Sequence, residues 1–197
     1  GVIRELARQG AGVDAAPAAT GTTALHMASR MNEAGSIGAL VEAGASVITQ
    51  TRHGEEGINH TPLHSAAEAL ALDAMLALLR HGAPALDPLI RASQKDGVNR
   101  SKRSRLHIAA RQGGTMGASE AVDLLLRWGA DESELDDNGN TAADVIGAEV
   151  REDESLAADD ADRVRELLAN DPADRAWRRR GLLLLCFARD QRTRGRG

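Results

Sequence analysis

Two kinds of apolar segment alternate along the chain, and both are patterned as short helices. In the first kind a hydroxyl residue is followed by a leucine and an alanine three positions apart, as in the segment from Thr23 to Ala28. Residues three apart lie on one face of an α-helix, so this spacing predicts a helix with a small apolar face. The second kind is more strongly apolar, as in the segment from Met75 to Leu79, and a Gly-Ala pair follows it. The alternation predicts a series of helix pairs.

These predicted helix pairs recur in phase. The first segments begin at Thr23, Thr61, Ser104 and Thr141, and the Gly-Ala pairs begin at Gly10, Gly44, Gly82 and Gly129. From the hydroxyl residue to the next such glycine the chain runs 21 positions in the first two copies and 25 in the third, where the extra residues fall around 113–117. One helix pair cannot enclose a core, so at least three must pack on one another.

The residues at the segment boundaries favour helix ends. Threonine and serine accept hydrogen bonds from the unpaired backbone N–H groups at a helix N-terminus, and Pro62 falls at the first helical position, where proline is tolerated. Glycine after the second segment suits the left-handed conformation that commonly follows a helix C-terminus. Both signals predict the same boundaries as the apolar pattern.

The segment Thr61-Pro62-Leu63-His64-Ser65-Ala66, with a unit length near 33 residues, resembles the signature of the ankyrin repeat family. The resemblance implies an all-α fold, an ankyrin-repeat solenoid of stacked helix-turn-helix units with hairpin-like loops. The resemblance also implies a truncated repeat at 1–12, repeats at about 20–50, 57–90 and 100–133, and a terminal repeat at 137–170. The repeat domain therefore covers 1–170. Two copies depart from the signature, with Ser104-Arg105 in place of Thr-Pro and Ala143-Asp144 in place of Leu-His. We interpret the chain as a C-terminal fragment of an ankyrin repeat-containing protein.

The C-terminal region has a separate pattern. Asp171 followed by Pro172 is typical of a helix start, and the apolar residues through 189 predict a capping helix at 171–189 that covers the last repeat. An amphipathic helix that binds a membrane surface or a partner is the alternative. Residues 190–197 are expected to form a disordered tail.

Composition narrows the class of protein. Tyrosine is absent, Phe187 is the only phenylalanine, and a core of small aliphatic residues favours closely packed helices over a β-sandwich. Cys186 is the only cysteine, which excludes an intrachain disulfide and fits a reducing, cytoplasmic or nuclear compartment. No apolar run approaches the roughly 18 residues that span a bilayer.

Charge is segregated along the chain, whose formal net charge is −5. Thirteen acidic residues lie between Asp131 and Asp162, and eight arginines lie between Arg175 and Arg196. The simplest interpretation is a set of solvated faces. Binding of nucleic acid or an anionic membrane by the arginine-rich segment is the weakest alternative, because lysine is absent from that segment and the acidic residues precede it in the sequence.

The histidines do not predict a catalytic or metal site. His26, His64 and His107 occupy one slot of successive repeats, and in similar repeats this histidine forms hydrogen bonds with the connecting loops. His53 and His60 share a loop, but no spacing supplies the further ligands that zinc needs. Phosphate-binding loops, nucleophile elbows and metalloprotease helices are absent from the sequence. We therefore predict a protein without catalysis, cofactor or metal.

The resemblance implies a protein–protein interaction scaffold whose concave face binds one protein or peptide partner, with the chain itself a monomer. The residues expected to contact the partner are Met27, Arg30, Met31, Ser65, Glu68, Ile108, Arg111 and Gln112 on the inner helices and Arg100, Lys102 and Arg103 on the hairpin side. Met27 and Ile108 are the expected anchors, because exposed apolar residues can dominate the binding energy of an interface. A regulatory ankyrin segment of a larger enzyme or channel is the alternative.

Overall fold

The computed structural model describes residues 2–18, 20–51, 60–85, 104–148 and 158–169. Its helices are α1 (Val2–Arg8), α2 (Ala24–Arg30), α3 (Ala34–Glu42), α4 (Pro62–Glu68), α5 (Leu72–Arg80), α6 (Arg105–Arg111), α7 (Ala118–Arg127), a 3₁₀ helix (Ala142–Val145) and α8 (Ala158–Ala169). Within these ranges there is no strand, only an isolated bridge between Gly113 and Thr115. The all-α prediction is confirmed there, whereas the predicted capping helix at 171–189 and the tail at 190–197 lie outside the described residues.

The first helix of each pair begins at the predicted hydroxyl residue. The four N-cap residues are Thr23, Thr61, Ser104 and Thr141, with φ between −86° and −70° and ψ between 164° and 169°. This extended conformation turns the cap side chain toward the first turn of its helix. Four caps with one conformation mean that the sequence repeat is also a repeat of local structure.

The second helix of each full pair ends at the predicted glycine. Gly44, Gly82 and Gly129 have φ values of +101°, +87° and +98°, in the left-handed region. The buried alanine after each glycine donates its N–H to a carbonyl five residues earlier, at 2.9 Å from Ala45 to Leu40, 2.9 Å from Ala83 to Leu78 and 3.0 Å from Ala130 to Leu125. These hydrogen bonds satisfy carbonyls that the helix leaves open, as in a Schellman motif.

The pairs pack in chain order. Among the first helices, α2 contacts α4, α4 contacts α6, and α6 contacts the 3₁₀ helix; among the second helices, α1 contacts α3, α3 contacts α5, α5 contacts α7, and α7 contacts α8. The leucine of the first-helix motif is fully buried in each of the three regular pairs, at Leu25, Leu63 and Leu106. Each pair thus completes the core of its neighbours. Every helix in the described ranges is too short or too polar to cross a lipid bilayer.

The fourth copy departs from the first three. Residues 142–145 form a single 3₁₀ turn, in which residues three apart are eclipsed, so that Ala142 and Val145 are buried while Ala143 and Asp144 are exposed. Asp144 takes the slot that histidine has elsewhere, and its carboxylate accepts the backbone N–H of Thr141 at 2.8 Å and the Thr141 hydroxyl at 2.7 Å. The cap is therefore kept although the leucine and histidine are replaced.

Candidate interaction surface

The repeated histidine links neighbouring helix pairs. In α2, Nδ1 of His26 lies 3.2 Å from the backbone nitrogen of Thr23 and 2.8 Å from its hydroxyl oxygen. Because a backbone N–H can only donate, Nδ1 must accept, and the proton of the neutral ring lies on Nε2. That Nε2 lies 3.0 Å from the carbonyl oxygen of His60, at the entrance to the next pair.

The same arrangement recurs in the other regular pairs. Nδ1 of His64 lies 3.0 Å from the Thr61 nitrogen, and Nδ1 of His107 lies 2.7 Å from the Ser104 hydroxyl. Nε2 of His107 lies 3.0 Å from the carbonyl oxygen of Asn140, at the entrance to the 3₁₀ helix. The prediction that this histidine bonds to the connecting loops is confirmed for His26 and His107. Their ring nitrogens are therefore occupied by structural hydrogen bonds.

The environment of His64 opposes protonation. Its side chain is buried, and the ring of His60 stacks on it with centroids 5.4 Å apart. Burial holds the pKa of His64 well below 6.5, and the electrostatic influence of Arg105, followed by that of His60 and His26, lowers it further. His64 is neutral at physiological pH and acts here as a hydrogen-bonding core residue.

Arg105 shows what the Ser-Arg departure from the repeat signature does. Its side chain is 1% exposed, and its guanidinium donates to the Thr61 hydroxyl at 3.3 Å and to the Ala85 carbonyl at 3.4 Å. Both acceptors belong to the preceding helix pair. The sequence showed only that Ser104-Arg105 stands in place of Thr-Pro, so this link between neighbouring pairs was missed.

Two residues predicted to line the partner-binding face are not on the surface. Ser65 is 8% exposed and Ile108 is 7% exposed, so the expectation that they are accessible is wrong. Each lies three positions after the first residue of its helix and therefore on the same side of the helix as that residue. In α6 the first residue is Arg105, whose side chain contacts the preceding pair. Packing between pairs covers this slot in α4 and α6, which excludes Ile108 as a surface anchor.

The other inner-helix predictions have accessible side chains. Met27 is 45% exposed and Met31 67%, Arg30 and Glu68 are also exposed, and Arg111 and Gln112 are half-buried. Arg30, Glu68 and Arg111 hold one slot in the successively packed helices α2, α4 and α6 and therefore form a row of alternating charge. Arg100, Lys102 and Arg103, predicted on the hairpin side, lie outside the described residues.

The sequence did not single out several other exposed apolar side chains. Met116 is 89% exposed at the tip of the insertion between α6 and α7, Ile48 is 55% exposed and Leu135 is 53% exposed. The glycine-rich composition around Met116 was the available signal, because it indicated a turn that projects from the regular unit. Apolar residues exposed one at a time are normal in folded proteins and do not define a second surface.

Within the ranges that the structure describes, no group of three or more His, Cys, Asp or Glu residues is arranged to hold a metal ion. A groove between α7 and α8 is lined by both acids and arginines, and Asp123 and Arg127 within it form an ion pair at 2.5 Å. Charges that compensate each other in this way favour packing of the two helices over capture of a charged ligand.

No protein-family profile matches the chain. The chain is similar to neurogenic locus notch homolog protein 2 of Homo sapiens, with 31% identity over 141 residues that make up 72% of this chain and 5% of the relative. It is 33% identical over 141 residues to neurogenic locus notch homolog protein 1 of Mus musculus, and 38% identical over 86 residues, 44% of this chain, to the Notch protein of Drosophila melanogaster. The chain thus spans about 5% or less of the length of these relatives.

Proposed function

We propose that the chain is a non-catalytic scaffold, an ankyrin-type solenoid that binds a protein or peptide along the exposed side of its first helices. The observation that carries the proposal is the row of Arg30, Glu68 and Arg111. Three successive helices in contact hold these charges in one slot, where Arg30 and Glu68 are exposed and Arg111 is half-buried. A regular row on rigid elements suits recognition of an extended partner with complementary charges.

The hydrogen bonding of the histidines supports a binding role over catalysis. A general base needs a ring nitrogen that can reach a substrate, whereas His26 and His107 use both ring nitrogens within the fold. The similarity to Notch proteins supports an interaction region in general terms. The expected partner is defined only by a charge pattern that complements the row.

The test is affinity capture with the full chain and with the variant Arg30→Glu/Glu68→Arg/Arg111→Glu. The variant with reversed charges should fail to capture partners that the parent retains. The difference between the two should become smaller as salt is added, because salt screens exposed charge pairs. Arg80→Glu, on the exposed side of α5, changes the net charge by the same amount and serves as the control. Identical sets of captured proteins from the parent and the row variant would refute this surface.

A regulatory segment within a larger enzyme or channel is the second proposal. The Notch relatives show that a segment similar to this chain can be a small part of a longer polypeptide, since the chain matches 5% of their length. The two proposals differ in the partner that capture would identify: a separate protein in the first case, and a domain of the same polypeptide in the second.

A further inference from the structure

The loop between α7 and the 3₁₀ helix carries an asparagine that is followed by glycine. Asn138-Gly139 is the only such pair in the sequence, and both residues are exposed. A Cβ atom built on Gly139 would meet no atom of the described residues within 4 Å, so the backbone at this pair is accessible to water. An asparagine before glycine can react with its own backbone, because glycine has no side chain to shield the nitrogen.

Backbone hydrogen bonds close the turn around this pair. The Asp136 N–H donates to the Asn140 carbonyl at 2.8 Å, and the Gly139 N–H donates to the Asp136 carbonyl at 3.1 Å. Gly139 has a φ of +78°, which is typical of a three-residue hairpin loop that ends in a left-handed glycine. The backbone nitrogen that could react is therefore held by a hydrogen bond while the turn is closed.

The buried side chain of Asp136 holds the same turn. This residue is 6% exposed, and its Oδ1 accepts the N–H of Asn138 at 2.8 Å and the N–H of Asn140 at 2.9 Å. Hydrogen bonds to a charged acceptor are stronger than those between neutral groups. Asp136 therefore sets how often the turn opens and releases the Gly139 nitrogen.

The turn is also joined to α6. Nε2 of the buried His107 lies 3.0 Å from the Asn140 carbonyl oxygen, which is the same oxygen that accepts the Asp136 N–H. This oxygen can serve both donors only if the backbone from Asp136 to Asn140 keeps its length. A longer backbone would displace the oxygen from one donor or from both.

We propose that Asn138 is a site of spontaneous deamidation, and that its isoaspartyl product disconnects this turn from α6. When the turn opens, the Gly139 nitrogen loses its proton and attacks Cγ of Asn138. A bond forms between that nitrogen and Cγ, the bond from Cγ to the side-chain nitrogen breaks, and ammonia leaves with the proton. Water then opens the cyclic imide to aspartate or to isoaspartate, in which Cβ and Cγ have become part of the backbone. Water is the only other reactant.

The products disturb the turn in two ways. Isoaspartate adds one carbon atom to the backbone between Asp136 and Asn140, which the present hydrogen bonds cannot accommodate. Both products also add a carboxylate beside Asp136 and Asp137, and like charges at short range repel. The site lies at the entrance to the 3₁₀ helix and is separate from the charged row of the proposed function.

The reaction is tested by incubating the folded chain at mildly alkaline pH beside a sample unfolded in urea. Peptide fragmentation by mass spectrometry locates each conversion of amide to carboxylate. We expect Asn138 to convert in both samples, more slowly in the folded one. Asn140, which precedes the β-branched Thr141, and Asn32 should remain amides over the same period. An Asn138 that stays intact in the folded chain while the unfolded sample converts would overturn the proposal, as would equal conversion at Asn138 and Asn140.

Two variants separate the turn from the local sequence. Asp136→Ala should speed the conversion in the folded chain by roughly tenfold, because it removes the charged acceptor that holds the turn closed. Asp137→Ala removes the same charge from an exposed position of the turn and should have a much smaller effect. Neither variant should change the rate in urea. Equal rates for the two folded variants would contradict the control by Asp136.

The structural consequence is tested on the isoaspartyl protein, isolated by ion-exchange chromatography. Its matched control is Asn138→Asp, which carries the same added charge on a backbone of normal length. We expect the isoaspartyl protein to have the lower urea midpoint and faster amide exchange in α6 and the 3₁₀ helix. Equal midpoints and equal exchange in the two proteins would show that the turn tolerates the longer backbone, and would overturn the proposed disconnection from α6.

Discussion

At the scale of single residues, the buried His64 makes the fold sensitive to mild acid. In the unfolded chain a histidine has a pKa of about 6.5, whereas burial and neighbouring positive charges lower the pKa of His64 in the fold. Below about pH 6.5 the unfolded state therefore binds a proton that the folded state does not. The free energy of unfolding should decrease by about 1.4 kcal/mol per pH unit for this group, down to the folded pKa, and should be insensitive to it above pH 7.

Urea titrations between pH 7.5 and 5 measure this slope, and His64→Gln provides the control. Glutamine keeps an acceptor for the Thr61 N–H at the third helical position, as in a capping box, but has no proton to gain. The slope of the free energy of unfolding against pH should therefore be smaller in this variant by the contribution of about one proton. An unchanged slope would mean that His64 titrates alike in both states.

At the scale of elements, the turn between α6 and α7 depends on a close backbone approach. A Cβ atom on Gly113 would lie 2.8 Å from the Ala110 carbonyl oxygen and 2.8 Å from Cγ2 of Ile146. The approach is held by the hydrogen bond from the Gly147 N–H to the same carbonyl, at 3.1 Å. Gly113→Ala should therefore destabilise the chain by about 1–3 kcal/mol, through strain at this contact.

Gly35→Ala is the matched comparison, because a Cβ at Gly35 in α3 meets no atom within 4 Å. Here alanine should stabilise the helix by about 0.5–1 kcal/mol, the usual difference between the two residues. Thermal unfolding followed by circular dichroism should show opposite shifts for the two variants. Shifts of the same sign would contradict the packing of residues 146–147 on the end of α6.

The elements also show which features a sequence can reveal. Caps at Thr23 and Thr61 and the glycine at Gly44 were predictable, because each is set by residues within one turn of itself. The close approach at Gly113 was not, since it depends on Ile146, more than thirty positions later in the chain. The burial of Ile108 was missed for the same reason: its motif slot is local, but the neighbour that covers it is not.

At the scale of the whole molecule, helix pairs that contact only their neighbours should not be equally stable. In such a repeat arrangement, stability is approximately a sum of unit and interface terms. The helices α4 and α5 are packed by pairs on both sides, whereas the face of α2 at Met27 is uncovered. Native-state hydrogen exchange should therefore find greater amide protection in α4 and α5 than in α1 and α2.

Two leucine truncations separate this graded stability from all-or-none unfolding. Leu25→Ala and Leu63→Ala remove the same buried side chain from an outer and a central pair, at a cost of about 2–5 kcal/mol each. If pairs couple only to neighbours, Leu25→Ala should lower protection in α1 to α5 and spare α6 and α7, while Leu63→Ala should lower it in α2 to α7. Because the two leucines hold one slot of one motif, a difference in reach can come only from their place in the stack. Equal loss of protection throughout the chain in both variants would instead mean that the described helices unfold as a single unit.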